Sequence, residues 1–168
     1  TSKPHGRTPE EHLAAGRQLG CSDWLRLPQD MLTLFEVLTK SNDKLHTDPD
    51  WVRRHTHYPG TIAPGFLTMS LLPYFATQVA LAPVGHVAVN YGFDRLRWPA
   101  PVPVDAEVRA RFTAGGTQPR HAGQPGLIAR IEVMVEVRGQ ERPVLVATWL
   151  AAMIPDLQTS EAQHKAGT

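Results

Sequence analysis

The stretch GFLTMSLLPYFATQVALAP, residues 65–83, constrains the fold more than any other. Residues 66–81 are apolar around most of a helical circumference, so the helix they predict needs cover on nearly all sides. At about 1.5 Å per residue such a helix runs roughly 24 Å, and Pro73 is expected to kink it. The stretch also carries polar residues and two prolines, and it is shorter than the roughly 20 apolar residues that span a bilayer. It reads as a buried core helix, not a membrane segment.

The cover must come from the rest of the chain. HVAVNYGFDRLRW, DAEVRARFTAGG, GLIARIEVMVEVRG and RPVLVATWLAAMI read as strands. In the third, Ile128, Ile131, Val133 and Val135 mix with charged neighbours in near alternation, and RGQERP supplies turn residues between hairpin partners. The expectation is an α+β domain in which an antiparallel sheet packs on the buried helix. A length of 168 residues suits one such domain. We place it at residues 18–155, between a polar N-terminal segment (1–17) and a solvated tail (156–168).

Charge excludes some partners. Seventeen Lys and Arg against sixteen Asp and Glu leave a formal charge of +1. Such a chain has no long-range field to gather nucleic acid or an anionic membrane. The single cysteine, Cys21, permits no intrachain disulfide and fits a reduced, cytoplasmic setting. No basic-then-apolar leader opens the sequence, so secretion is not expected.

Chemistry concentrates in three places. PQDMLTLFEVLTK predicts an amphipathic helix with Met31, Leu34, Phe35 and Leu38 on one face, which delivers the chain into LTKSNDKLHTDPDW. There Asp43 and His46 stand three apart, either as an acid/base pair or as members of a solvated loop. His46, Asp48, His55 and His57 match no tight metal-ligand spacing, and Asp48 and Asp50 are expected to cap a short helical turn at Pro49. No metal and no cofactor are expected. In TIAPGFLTMS, Gly65 either permits a tight turn or opens a helix whose free N–H groups stabilise negative charge, such as the enolate-like oxygen of a thioester. In VNYGFDRLRWPAPV, an amide, an aromatic ring and two arginines (Asn90, Tyr91, Arg95, Arg97) form either a solvated edge or a binding rim. The chain shows no phosphate loop, nucleophile elbow or dinucleotide fingerprint.

In order and separation, LTKSNDKLHTDPDW, GTIAPGFLTMSLLPYF and VNYGFDRLRWPAPVPVDAEVRARF resemble the MaoC-like dehydratases, the (R)-specific enoyl-CoA hydratase family. The resemblance covers about residues 20–155. It implies a hotdog fold, with a long central helix wrapped by a curved antiparallel sheet, and a homodimer. It also implies a lyase that adds water to an enoyl thioester of coenzyme A or acyl carrier protein, or removes it from a 3-hydroxyacyl thioester.

The resemblance carries His46 onto the family histidine, Gly65 onto the oxyanion donor and Ser70 onto a polar helix residue facing the site. The hallmark runs Ser or Thr, Gly, Asp, any residue, Asn, Pro, Ile or Leu, His. Aligned without a gap, Lys40 falls on its Gly, Ser41 on the catalytic Asp and Asp43 on the Asn. With a two-residue deletion, Ser41, Asn42 and Asp43 match Ser-Gly-Asp, and Asp43 becomes the catalytic carboxylate. Both registers stand. Pro64 also departs from the histidine that many members carry before the Gly. These changes leave two further expectations open: another proton transfer on a thioester, such as isomerisation or cyclisation, or a non-catalytic acyl-binding subunit.

Overall fold

The computed structural model describes residues 7–121 and 123–157. In chain order the elements are α1 (Pro9–His12), β1 (Gln18–Cys21), β2 (Leu25–Arg26), α2 (Gln29–Thr39), α3 (Lys44–Thr47), α4 (Pro49–His55), α5 (Gly65–Ser70) and α6 (Leu72–Ala76). The four long strands follow: β3 (His86–Arg97), β4 (Glu107–Pro119), β5 (Leu127–Val137) and β6 (Leu145–Pro155). The four segments read as strands are therefore strands. The sheet is antiparallel in the order β1-β4-β5-β6-β3, with β2 also paired to β4.

The central helix differs from expectation. It is two short helices that meet at Leu71, followed by turns through Ala80. Pro73 sits in the first turn of α6, where its missing N–H costs nothing to the new helix but ends the hydrogen-bond ladder of α5. Nor is the pair buried on all sides. Leu67, Leu72 and Phe75 enter the core beside Phe112, Ile131 and Met153, whereas Phe66 and Tyr74 face outward.

Bulges bend the sheet against this pair, between Asn90 and Gly92 and between Phe93 and Arg95 in β3, and between Ala114 and Thr117 in β4. A smaller apolar cluster of Ile128, Leu150 and Ala152 forms separately from the main core.

Two other expectations shift. The α2 helix buries Leu32 and Glu36, with Met31 and Phe35 partly covered, so Leu34 and Leu38 lie on its open side together with Val37. The apolar residues of α2 span more of its circumference than one core can cover, and Leu32 takes the inward position. The polar N-terminal segment contributes to the core: Thr8 caps α1 through a capping box, and the Leu13 side chain just beyond is fully buried. Of the expected tail, only Asp156 and Leu157 lie within the described residues.

Candidate active site

Between the α2–α4 region and the start of α5 lies a cavity of about 330 Å³. His46, Tyr58, Gly65, Thr68 and Trp98 line it, with Ile62, Ala63, Val102, Val144 and the Pro99–Pro101 turn. Among the described residues, no Asp or Glu lines it.

The loop that delivers His46 is sharply folded. At the end of α2, Lys40 adopts the left-handed conformation (φ 59°), and so does Asn42 (φ 55°). Glycine takes this region most easily, and either alignment of the hallmark puts its glycine on one of these two residues. The buried Glu36 holds the loop from below: its carbonyl accepts from the Ser41 N–H at 3.1 Å and its carboxylate from the Asp43 N–H at 2.8 Å. Asp43 then caps α3, accepting from the Leu45 N–H at 2.8 Å.

This geometry separates the two residues expected to act together. The exposed Asp43 carboxylate is engaged with Leu45, has no hydrogen bond to His46 and does not line the cavity. Ser41 and Asn42 are likewise exposed and outside the cavity lining.

The histidine is held in a defined state. Its Nδ1 lies 2.7 Å from the carbonyl oxygen of Ile62. A carbonyl can only accept, so Nδ1 carries the hydrogen, and in the neutral ring Nε2 keeps its lone pair. Nε2 has no hydrogen-bond partner among the described residues, and the ring borders the cavity. The ring can therefore accept a proton through Nε2 and return it through the same atom.

Gly65 opens α5 at the cavity wall, and the first N–H groups of any helix lack intrahelical acceptors. Pro64 precedes it, buried, as the N-cap. The Trp98 indole lies against Gly65, and its Nε1–H donates to the Gly65 carbonyl at 3.0 Å. Ser70 is exposed at the end of α5 and does not line the cavity; the helix hydroxyl that does is the buried Thr68.

The expected rim divides. Asn90 accepts from the Trp149 indole at 2.8 Å and lines an apolar groove beside α6, Tyr91 lines a separate pocket with Arg120 and His121, and Arg95 borders another with Arg111. The exposed Arg97 donates to its neighbour's carbonyl, that of Leu96, and does not line the cavity.

Tyr58, Thr68, Trp98 and the supporting Glu36 were not singled out by sequence. The HYPG and RWPAP turns contain two of them, but turn residues alone do not show which way a ring points. Asp48 and Asp50 act locally, Asp48 capping α4 at the Trp51 N–H and Asp50 pairing with Arg53. Among the described residues no group of three His, Cys, Asp or Glu side chains is placed to hold a metal ion. Nor is any helix long and apolar enough to cross a membrane.

An antiparallel sheet bent against a central helix pair, with a histidine cavity at that helix's start, defines a hotdog domain. The chain belongs to the MaoC-like dehydratase family: the model described as "MaoC like domain" matches residues 10–135. It is 36% identical over 134 residues to 3-hydroxyacyl-thioester dehydratase Z of Mycobacterium tuberculosis, covering 80% of this chain and 87% of that one. It is 33% identical over 144 residues to nodulation protein N of Rhizobium meliloti, covering 81% and 84%. Among solved structures, the (R)-hydratase from A. caviae involved in PHA biosynthesis superimposes with a TM-score of 0.64 at 22% identity, over 85% of this chain and 98% of that one.

Proposed function

We propose that this protein hydrates an enoyl thioester, or runs the reverse dehydration of a 3-hydroxyacyl thioester, carried on coenzyme A or acyl carrier protein. One observation carries the reading. His46 spends Nδ1 on the Ile62 carbonyl and presents a bare Nε2 to a cavity that also borders the start of α5. Similarity to a 3-hydroxyacyl-thioester dehydratase supports the substrate class.

In hydration, Nε2 takes a proton from water as the water oxygen bonds to C3 of the enoyl group. The double-bond electrons move toward the thioester oxygen, where the Gly65 N–H stabilises the developing charge. The proton then passes to C2. Dehydration reverses each transfer. No cofactor enters these steps. Ser41, Asn42 and Asp43 shape and hold the histidine loop, while Pro64 and Ser70 belong to the frame of α5. Arg97, one residue before Trp98, is a candidate for the phosphates of the carrier arm, and Asn90 and Tyr91 are candidates for the acyl side. The working form is a homodimer, supported by the open edge strand β3 and the uncovered Leu34, Val37 and Leu38 of α2, and the free Cys21 fits a cytoplasmic setting.

Crotonyl-CoA offers the direct test, followed through loss of the enoyl absorbance. Turnover should be present and should fall roughly 100- to 10,000-fold in His46→Ala, the usual contribution of a general acid/base group. Retained acyl-CoA binding with no turnover on any thioester defeats the hydratase reading and leaves an acyl-binding subunit.

A specific observation favours a second reading: among the described residues no carboxylate lines the cavity. A lone histidine suits proton transfer beside the thioester carbonyl, as in isomerisation or cyclisation. Deuterium exchange into C2 or C4 of the acyl group without net hydration would identify it.

A further inference from the structure

Resting on the reading of His46 as the proton-transfer group, we infer that Gln29 is its positioning residue, setting both the tautomer and the aim of the ring. Gln29 is the first residue of α2 and stands seventeen positions before His46 in the sequence. Its side-chain amide has three polar partners. Nε2 donates to the backbone carbonyl of His46 at 2.8 Å and to the Thr33 hydroxyl at 3.2 Å, and Oε1 accepts from the Thr61 hydroxyl.

The amide can face only one way. The His46 carbonyl has no hydrogen to give, so the nitrogen must be turned toward it. Thr33 agrees with this orientation: its hydroxyl donates to the Gln29 backbone carbonyl at 2.9 Å and so can accept from the Gln29 Nε2.

These bonds join the two sides of the His46–Ile62 contact. On one side Gln29 grips the backbone that carries the imidazole. On the other it grips Thr61, a buried residue next to Ile62, whose carbonyl receives the Nδ1 hydrogen. The Thr61 segment is also tied down, because its carbonyl accepts from the Val104 N–H at 3.0 Å and the Ile62 N–H donates to the Leu45 carbonyl at 3.3 Å. A partner that holds the donor ring and the acceptor carbonyl together fixes which nitrogen is protonated and which is left for chemistry. No other side chain among the described residues bonds to both segments.

Gln29→Met keeps the length of the side chain and removes all three bonds. Gln29→Glu keeps an acceptor for Thr61 but sets a carboxylate against the His46 carbonyl. The ring is read by long-range nitrogen–proton NMR of the imidazole in the full-length protein, which needs no substrate. In the wild type His46 should hold its hydrogen on Nδ1, and in both variants it should move to mixed or Nε2-protonated forms. Assays on crotonyl-CoA should in parallel show a kcat lower by about 10- to 100-fold, as for loss of other orienting partners, with KM little changed.

Thr61→Val is the second variant. It removes the far anchor and should shift the tautomer in the same direction, so the inference stays testable if a Gln29 variant does not fold. An Nδ1-protonated His46 in a folded Gln29→Met protein overturns the inference. Failure of the functional reading looks different, since His46→Ala would then leave turnover intact while the tautomer still depended on Gln29.

Discussion

The Trp98 indole lies on the α-carbon of Gly65, so close that a methyl group added there would meet Cε2 at 3.0 Å and Nε1 at 3.1 Å. The same ring donates to the Gly65 carbonyl. Glycine at this position is therefore a matter of space, since a side chain would force the indole to give by a few tenths of an ångström. Gly65→Ala should destabilise the protein by about 1–3 kcal/mol, as overpacking typically does, and slow thioester turnover because both residues line the cavity. Urea unfolding of Gly65→Ala, Trp98→Ala and the double variant measures the coupling. If the two losses simply add, the contact does not explain the glycine.

Asp43 presents a different balance. Its carboxylate accepts from Leu45 as a helix cap and lies outside the cavity lining. Asparagine caps about as well as aspartate, whereas alanine loses about 0.5–2 kcal/mol. Asp43→Asn should therefore keep both stability and hydration near wild type, while Asp43→Ala loses stability first. Steady-state hydration beside thermal unfolding separates the cases. A folded Asp43→Asn protein with turnover as low as His46→Ala would return Asp43 to the reaction as a carboxylate.

That comparison also marks how far the sequence could be read. The four long strands, α2 and the turn at Pro49 were legible because hydrophobic period, caps and turn residues act locally. His46 and Gly65 were legible as a pair only through the order and spacing of whole motifs. The break at Leu71 was half legible, since Pro73 announced a kink without saying that α6 would end at Ala76. The inward face of α2 was not, because several apolar residues competed and tertiary packing selected Leu32. Short strands β1 and β2 owe their existence to pairing with β4 more than to any pattern of their own. Gln29, Glu36 and Tyr58 were invisible for a similar reason: their significance lies in what distant segments bring to them.

Acid stability should report on Glu136, which lies across the β4–β5 pair from two arginines. Burial pushes its carboxyl up, but hydrogen bonds from Arg111 and Arg109, with their charges, outweigh this and hold it below its ordinary value of 4.5. The guanidinium of Arg111 is correspondingly raised, chiefly by its hydrogen bond to Glu136. A carboxyl whose folded value lies below the unfolded one stabilises fully above the unfolded value and loses that contribution as pH falls through the folded value. Wild type should therefore weaken as pH drops below about 4.5. Glu136→Gln should be less stable at neutral pH and lose less on acidification. Urea midpoints across that range check it, and parallel pH curves for the two proteins would remove Glu136 as a contributor.

Strand β3 ends the sheet with twelve residues, of which Val87, Val89 and Tyr91 are 52%, 44% and 54% exposed. A long edge strand with apolar side chains and free backbone groups is a template for another strand, and isolated proteins blunt such edges with lysine, proline or a covering loop. Here a second copy provides the cover in the proposed dimer, and Trp98, directly after Arg97 at the end of β3, ties that edge to the cavity. Sedimentation velocity should show a dimer for the wild type. Val87→Lys with Val89→Lys should give a folded monomer with a looser Trp98 and slower turnover. A wild type that sediments as a monomer at micromolar concentration would rule out the β3 edge as the dimer contact, and a dimeric double variant would move the interface elsewhere, with the apolar side of α2 as the next surface to substitute.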